Sequence, residues 1–458
     1  MSAEHRPGSR PIPQLREMFR AQLWPLPTLG IALAIAAGAG LPRLDEHIQQ
    51  SIPPGLADYL FSGSADAART MLEVIAGSLI TVTALTFSLT VLTLQLASSQ
   101  FSPRLLRTFT SDRYVQTTLA FFLGTFTYAL TVLRTIRNGT DEQAMFVPQV
   151  SVTLAFLLTL ASVLALVLFL SHLAREIRVE AMMRSVHAAA DHTIRQLLPT
   201  EDTAAGNCRG ALPAPPAGAV ALPADTSGFL SSVNESALLR AAVEADAVVL
   251  IDRYPGSSLI AGTPMGAAWT RTGEPFSAEV RTRLLDSVAR AVVIGPERTD
   301  LQDIAFGLRQ LTDVAVRALS PAINDPTTAV HALSYSSALL CELARRDPGS
   351  RLLCDDQHRT IVELRRPDLQ ELLDLVVDQP LRYGATEPAV LIRIAILLRE
   401  LAWACASTRQ QPVAAALARL RSVAAAQDLH PLERSRITEQ IQLIEQAMAG
   451  HWPYGRSC

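Results

Sequence analysis

The stretch Met71–Ala97, MLEVIAGSLITVTALTFSLTVLTLQLA, decides the fold class of this protein. Glu73 is its only charged residue. A helix of about 20 apolar residues crosses the roughly 30 Å hydrocarbon core of a bilayer, so this stretch predicts a transmembrane span. Similar stretches at about 23–41, 117–133 and 150–170 predict three more spans. We therefore predict a mainly α membrane protein, with a four-helix transmembrane bundle and a cytosolic α+β domain in which a small β-rich unit precedes helices.

The composition agrees with a membrane protein and excludes several enzyme classes. Only 18% of the 458 residues are charged, whereas about a quarter of a soluble chain is charged. The sequence contains no lysine, which excludes Schiff-base enzymes, phosphate-loop hydrolases and biotin or lipoyl carriers. No nucleophile–base pair or phosphate loop is visible, so we expect no enzyme and no bound cofactor. A net charge of -3 without a basic patch argues against nucleic-acid binding.

The cysteines and histidines predict no metal site. The cysteines are odd in number and no two of them form a CxxC pair, which also argues against a disulfide framework. They are Cys208, Cys341, Cys354, Cys405 and Cys458. The histidines are scattered and form no HExxH motif. We therefore expect reduced thiols in a cytosolic setting.

The arginines next to the spans predict the orientation of the chain. Cytoplasmic loops carry an excess of basic residues, and three segments here are rich in arginine. They hold Arg6, Arg10, Arg16 and Arg20; Arg104, Arg107 and Arg113; and Arg175, Arg178 and Arg184. The loops on the opposite side carry fewer arginines and several acidic residues. Both termini are then cytoplasmic, and everything after about His172 is cytosolic.

The organisation of the whole chain follows from these spans and from shifts in composition. The predicted segments are an N-terminal arm (1–22), the transmembrane domain (23–173), a helical extension and linker (174–223), a small α/β unit (224–296), a mainly helical cytosolic domain (297–449) and a tail (450–458). Strands are predicted at 229–233, 247–252, 265–270 and 291–294, and a hairpin at 351–354 and 360–364. Asn234 is expected to cap a helix over 236–245.

The second span carries hydroxyl side chains in two stripes. On a helical wheel, Thr83, Thr86, Thr90 and Thr93 fall within one arc, and Thr81, Ser88 and Gln95 lie opposite. One interpretation is that the threonine stripe lines a hydrated path. The other is that the hydroxyls bond to their own helix or to neighbouring helices and tighten the bundle.

Small residues predict close helix packing in two other spans. Gly30, Ala34 and Gly38 are four residues apart in the first span, and Ala120 and Gly124 repeat this spacing in the third. Such faces serve either one compact bundle or a contact between protomers, and the sequence does not distinguish the two.

A helical hairpin is predicted in the soluble part. Thr299 and Gln302 resemble a capping box for a helix that ends at Ser320–Pro321, and Asp325 is expected to cap the next helix, with Pro326 at its first position. The polar residues around this hairpin form a candidate coupling site or, alternatively, an internal network of ion pairs. They are Arg298, Gln302, Asp303, Arg309, Asp313, Arg317, Asn324 and Asp325.

Three motifs resemble a known family. They are QLASSQFSPR at 95–104, FGLRQL at 306–311 and ALSPAINDP at 318–326, together with Arg298–Thr299 and Gln302–Asp303. The chain resembles the bacterial predicted membrane proteins catalogued as domain of unknown function 2254. The resemblance implies an integral protein of the inner membrane, and it supplies no activity and no catalytic residues.

Two hypotheses about function follow. The first is an oligomeric ion channel or pore-type transporter, in which the second span lines the path and the cytosolic domain assembles or gates it. The second is a membrane-anchored sensor or scaffold whose cytosolic domain binds a ligand or a protein partner. The expected partners are the lipid bilayer, further copies of the chain, and a small ion or a cytosolic ligand.

Overall fold

The computed structural model of the protein describes residues 24–48, 60–100, 113–137, 146–176, 178–198, 212–346, 348–355 and 357–452. The chain forms two compact units, Met1–Arg178 and Val179–Cys458. The N-terminal arm 1–22, the motif residues 101–104 and the last residues of the tail lie outside the described part, and so do most of the arginines that predict the orientation.

The N-terminal unit contains the four expected helices. They are α1 (Pro25–Ile48), α2 (Ala65–Gln100), α3 (Arg113–Leu133) and α4 (Gln149–Glu176). All four are long and apolar enough to cross a membrane. Helices α2 and α4 extend beyond their predicted spans at both ends, α1 extends beyond its span at the C-terminal end, and α3 begins earlier than its span. Helix α3 packs against the other three and is the most buried of the four.

The small residues predicted to pack closely join α1 to α3 within one chain. A β-carbon at Gly30 would lie 2.8 Å from the carbonyl oxygen of Ala120, and Gly124 faces the backbone of Gly30. A β-carbon at Gly38 would lie 2.7 Å from Cβ of Thr131. These helices therefore approach each other closely only because glycine occupies the contact points.

A buried carboxylate at the end of α1 holds the start of α4. Asp45 is 1% exposed and accepts hydrogen bonds from the Ser151 amide at 2.9 Å and the Ser151 hydroxyl at 3.0 Å. The Val150 amide donates to the same carboxylate at 3.3 Å. Amide groups in the first turn of a helix have no partner within the helix, so Asp45 satisfies donors of α4. No local sequence pattern predicts this role of Asp45.

The C-terminal unit combines two sheets with a set of packed helices. It begins with α5 (Val179–Leu197), a helix separate from α4. The strands are β1 (Val220–Pro223), β2 (Gly228–Val233), β3 (Ala247–Ile251), β4 (Ser258–Leu259), β5 (Pro264–Thr270), β6 (Val292–Gly295), β7 (Arg351–Cys354) and β8 (Thr360–Leu364). The helices are α6 (Glu235–Glu244), α7 (Ala278–Ala291), α8 (Phe306–Ala318), α9 (Pro326–Arg346), α10 (Leu369–Tyr383), α11 (Pro388–Ala404), α12 (Gln411–Ala425) and α13 (Pro431–Met448).

The strands form a five-stranded sheet, in the order β1-β5-β3-β8-β7, and a three-stranded sheet, β4-β2-β6. The predicted strands and the hairpin of β7 and β8 are confirmed. The pairing of β8 with β3 is parallel, with Val249 opposite Val362, and every other pairing between these strands is antiparallel. Strand β3 is a buried run of apolar, mostly β-branched residues, as a central strand requires.

The helical hairpin is present, but its first helix starts later than predicted. Helix α8 begins at Phe306 and has no side-chain cap, so the predicted capping box at Thr299 and Gln302 is wrong. Asp325 does cap α9, since its carboxylate accepts a hydrogen bond from the Thr328 amide at 3.1 Å. The Asn234 cap of α6 is also confirmed.

Gly307 of α8 packs against α5. A β-carbon at Gly307 would lie 2.3 Å from Cβ of Ala190. Gly307 is the second residue of α8, and the close approach of a second helix explains why a glycine is present there.

Candidate functional site

A buried ion pair lies beneath the turn that follows β3. Nε and Nη2 of Arg298 lie 2.8 Å and 2.6 Å from Oδ2 of Asp303. Oδ1 of Asp303 accepts a hydrogen bond from the Ala305 amide at 3.0 Å. Burial raises the pKa of Asp303, whereas Arg298 and Arg309 act to lower it. The turn can sit on this pair because Gly256 has no side chain, and a β-carbon there would lie 2.1 Å from Oδ2 of Asp303.

Gln302 connects the same segment to the three-stranded sheet. Its Oε1 accepts a hydrogen bond from the Val233 amide at 2.8 Å, and its Nε2 donates to the Val233 carbonyl at 3.2 Å. The side-chain amide thus pairs with the last residue of β2 as another strand would. The side-chain amide of Gln302, which a capping box would have needed, is therefore already occupied by Val233.

The structure brings together only part of the predicted network. Arg298, Gln302 and Asp303 are adjacent, and Arg309 is close enough to affect the pKa of Asp303. The other members lie farther along the hairpin: Asp313 and Arg317 on α8, and Asn324 and Asp325 in the turn before α9. Asn324 has a φ of 48°, in the left-handed region that asparagine tolerates. Hydrogen bonds from Thr328 lower the pKa of Asp325.

An arginine-lined cleft lies at the carboxyl ends of β3 and β8. These strands are parallel neighbours, so the residues that follow each strand emerge at the same edge of the sheet. Arg253 and Tyr254 follow β3, and Arg365 and Arg366 follow β8. All four line one cleft, which has a cavity volume of about 30 Å³. Gln302 also lines it, so the predicted network borders the cleft. The arginines of the cleft are not predictable from local sequence, because no local pattern shows that β3 pairs with β8.

The three arginines of the cleft differ in how the protein holds them. Arg365 is fixed by Glu371 at 2.8 Å and Asp252 at 3.5 Å, and it lies over the Tyr254 ring. The side chain of Arg366 is only 15% exposed, yet the nearest carboxylate recorded for it, that of Glu235, is 3.9 Å away. Burial lowers the pKa of Arg366.

The guanidinium groups of Arg253 and Arg366 both have N–H donors that are available to a ligand. Within the described part of the chain, neither guanidinium makes a hydrogen bond to a protein group. Each guanidinium carries five N–H donors. Arg253 is exposed and Arg366 is partly open to solvent, so these donors can reach a ligand that enters the cleft. The cleft is therefore a place where a negatively charged group would find donors already in position.

The sequence comparisons place the chain in a family. A model of the family described as "Predicted membrane protein (DUF2254)" matches residues 20–400, which include the spans and the cleft. The chain belongs to this family. Three similar proteins are uncharacterised proteins of Mycobacterium bovis and of two strains of Mycobacterium tuberculosis. Each is 37% identical over 391 residues, which cover 85% of this chain and 73% of the relative. No solved structure matches the chain.

In this member of the family, the threonine stripe of α2 is buried inside the N-terminal unit. Thr83, Thr86, Thr90 and Thr93 are each at most 8% exposed. Each hydroxyl donates to the carbonyl four residues earlier, at 2.7 to 2.8 Å. Thr81 and Ser88 lie on the exposed side of the same helix. Whether the buried stripe lines a path stays a prediction.

The cysteines correct one expectation. Cys354, at the end of β7, is disulfide-bonded, so the expectation that all thiols are reduced is wrong at this position. Cys341 and Cys405 are free, and burial raises the pKa of each thiol to about 11. Among the residues that the structure describes, no cluster of His, Cys, Asp or Glu could hold a metal ion.

Proposed function

We propose that the protein is a multi-pass membrane protein whose C-terminal unit binds a small ligand in the arginine-lined cleft, with the N-terminal helices as its membrane anchor. The observation that carries the proposal is the cleft itself. Two guanidinium groups, those of Arg253 and Arg366, have donors without protein acceptors at the carboxyl ends of two parallel strands. In sheets of parallel strands, ligands commonly bind at the carboxyl ends of the strands, and β3 and β8 are the parallel pair of the five-stranded sheet.

Two features of the N-terminal unit support an anchor role. The hydroxyls of the α2 stripe already donate within their own helix. The outward side chains of α4 are large and apolar, with Leu164 61% exposed and Val167 59% exposed. An apolar exterior around internally satisfied hydroxyls is suited to lipid.

The orientation and location are part of the proposal. Arginines are in excess before the first span, between the second and third spans, and after the fourth span. This excess supports an inner-membrane protein with both termini in the cytoplasm. The C-terminal unit would then meet cytosolic ligands.

The channel remains the alternative. It would require further copies of the chain, or a rearrangement that exposes the buried threonines to water. Thr86→Leu tests it, since it replaces a fully buried hydroxyl of the stripe. We expect no flux of K⁺, Na⁺ or Cl⁻ in liposomes from the wild type or from this variant. Flux in the wild type that Thr86→Leu abolishes would favour the channel.

The binding proposal is tested by thermal unfolding of the full-length protein in detergent. The probe is the small-molecule fraction of a bacterial extract, added to the wild type and to Arg366→Gln. Arg283→Gln is the matched control, because Arg283 is an exposed arginine of α7 with only a 3.7 Å contact to Glu279.

We expect the extract to raise the unfolding temperature of the wild type and of the control by about 2–4 °C for each kcal/mol of binding. Arg366→Gln should show no rise. No rise in the wild type, or an equal rise in all three proteins, would contradict the proposal.

A further inference from the structure

We infer that the cleft recognises a phosphate group of its ligand; this inference rests on the proposed function and names the ligand class. The cavity volume of about 30 Å³ is close to the space of one water molecule, so the cleft would contact one charged group at its opening and would not enclose a whole cofactor. The remainder of the ligand would lie outside the cavity, where the cleft opens to solvent.

The charges of the cleft favour an anionic group. Arg253, Arg365 and Arg366 line it together with a single carboxylate, that of Glu235. Arg365 is paired with Glu371, and Glu235 lies 3.9 Å from Arg366. One guanidinium charge is then left in excess, so the cleft attracts a negatively charged group such as a phosphate.

The arrangement of the arginines favours phosphate over carboxylate. Arg253 and Arg366 follow two different strands, so they line the cleft from separate segments of the chain. A guanidinium fork binds two oxygens side by side. A phosphate group has three terminal oxygens in a tetrahedral arrangement and can accept from two forks that lie in different planes, whereas a carboxylate presents its two oxygens in a single plane.

Apolar neighbours strengthen the attraction. Val233, Leu364 and Pro367 line the same cleft, and Arg366 is mostly buried beside them. Charges interact more strongly where water is partly excluded. The buried guanidinium should therefore contribute more to binding than the exposed Arg253.

Glu235 opposes an anion in the cleft, and this gives the inference a test of its own. Its carboxylate lies 3.9 Å from Arg366 and 3.4 Å from Arg351. An arriving phosphate would compete with Glu235 for Arg366. Glu235→Gln should therefore strengthen phosphate binding, although it removes a charge that helps to hold Arg366 in place. If the arginines were purely structural, this substitution would not create tighter binding of an anion.

The experiment measures binding of inorganic phosphate and of acetate to the full-length protein in nanodiscs by calorimetry, at constant ionic strength. We expect phosphate to bind more tightly than acetate. Arg366→Gln should weaken phosphate binding about 10- to 100-fold, and the exposed Arg253→Gln about two- to fivefold. Glu235→Gln should tighten it about two- to tenfold, and Arg283→Gln should leave it unchanged.

Equal binding of acetate and phosphate would overturn the inference. So would phosphate binding that is indifferent to both cleft arginines. Arg253 is exposed, so Arg253→Gln provides a test even if Arg366→Gln fails to fold.

Two further arms identify the source of the phosphate and separate the two possible failures. Dihexanoyl phosphatidic acid that binds more tightly than inorganic phosphate, again through Arg366, supports phosphate recognition with a lipid headgroup as the source. Equal or weaker binding supports a soluble phosphate compound. The extract is also treated with phosphatase, and the inorganic phosphate, which would itself bind the cleft, is then removed by precipitation with calcium before the thermal assay. A cleft-dependent rise that survives this treatment overturns the phosphate inference and leaves the proposed function intact, whereas no rise with any extract contradicts both.

Discussion

The contact between α1 and α3 makes a sharp prediction about two glycines of one helix. In Gly30→Ala, the new β-carbon would lie 2.8 Å from the carbonyl oxygen of Ala120 and 3.3 Å from its Cβ. A backbone carbonyl cannot rotate away as a flexible side chain can, so α1 would have to shift. In Gly40→Ala, on the same helix, the new β-carbon meets nothing within 4 Å.

The difference between these variants isolates the packing cost. Both gain the helix propensity of alanine, about 1 kcal/mol, and this gain cancels in the comparison. Overpacking a close contact costs about 1–3 kcal/mol. Gly30→Ala should therefore be less stable than Gly40→Ala by about 1–3 kcal/mol. Gly38→Ala, whose β-carbon would lie 2.7 Å from Cβ of Thr131, should resemble Gly30→Ala.

The assay is the free energy of unfolding in mixed micelles of increasing SDS content, followed by tryptophan fluorescence. Equal stabilities for Gly30→Ala and Gly40→Ala would refute the reasoning, because they would mean that α1 does not approach α3 at Gly30. A loss of stability in Gly40→Ala but not in Gly30→Ala would refute the reasoning as well.

Three other predictions concern the C-terminal unit. Gly307→Ala should destabilise it by about 1–3 kcal/mol in thermal unfolding, because the added β-carbon would lie 2.3 Å from Cβ of Ala190; unchanged stability would contradict this contact. Asp325→Ala should cost about 0.5–2 kcal/mol near pH 7. The pKa of Asp325 is lowered by Thr328, so the cost should shrink as the pH falls below about 4, where the wild type loses the same stabilisation; a cost that grows on acidification would be the wrong sign. The Cys405 thiol, with a pKa of about 11, should react with iodoacetamide near pH 8 much more slowly than the same thiol in the unfolded chain.

The sequence predicts the parts of the fold that depend on local patterns. The spans follow from apolar runs long enough to cross a bilayer. Asn234 and Asp325 cap helices as expected, because a short polar side chain satisfies the amides of the next turn.

The prediction from sequence fails where a contact depends on segments that are far apart in the chain. Thr299 and Gln302 have the spacing of a capping box, but Gln302 bonds to the backbone of Val233, which is far away in the sequence. The cleft is not predictable from the sequence either, because it also depends on contacts between distant segments. Arg253 and Arg366 each look like an ordinary polar residue after a strand, and only the parallel pairing of β3 with β8 brings them to one edge.

Hydrogen–deuterium exchange of the full-length protein tests most directly whether the C-terminal unit binds a ligand in the cleft. Amide exchange is compared with and without the small-molecule fraction of a bacterial extract. We predict slower exchange in the peptides that contain Arg253–Ser257 and Leu364–Pro367, and no change in α13. Unchanged exchange in both cleft peptides, or protection confined to the membrane helices, would contradict the account.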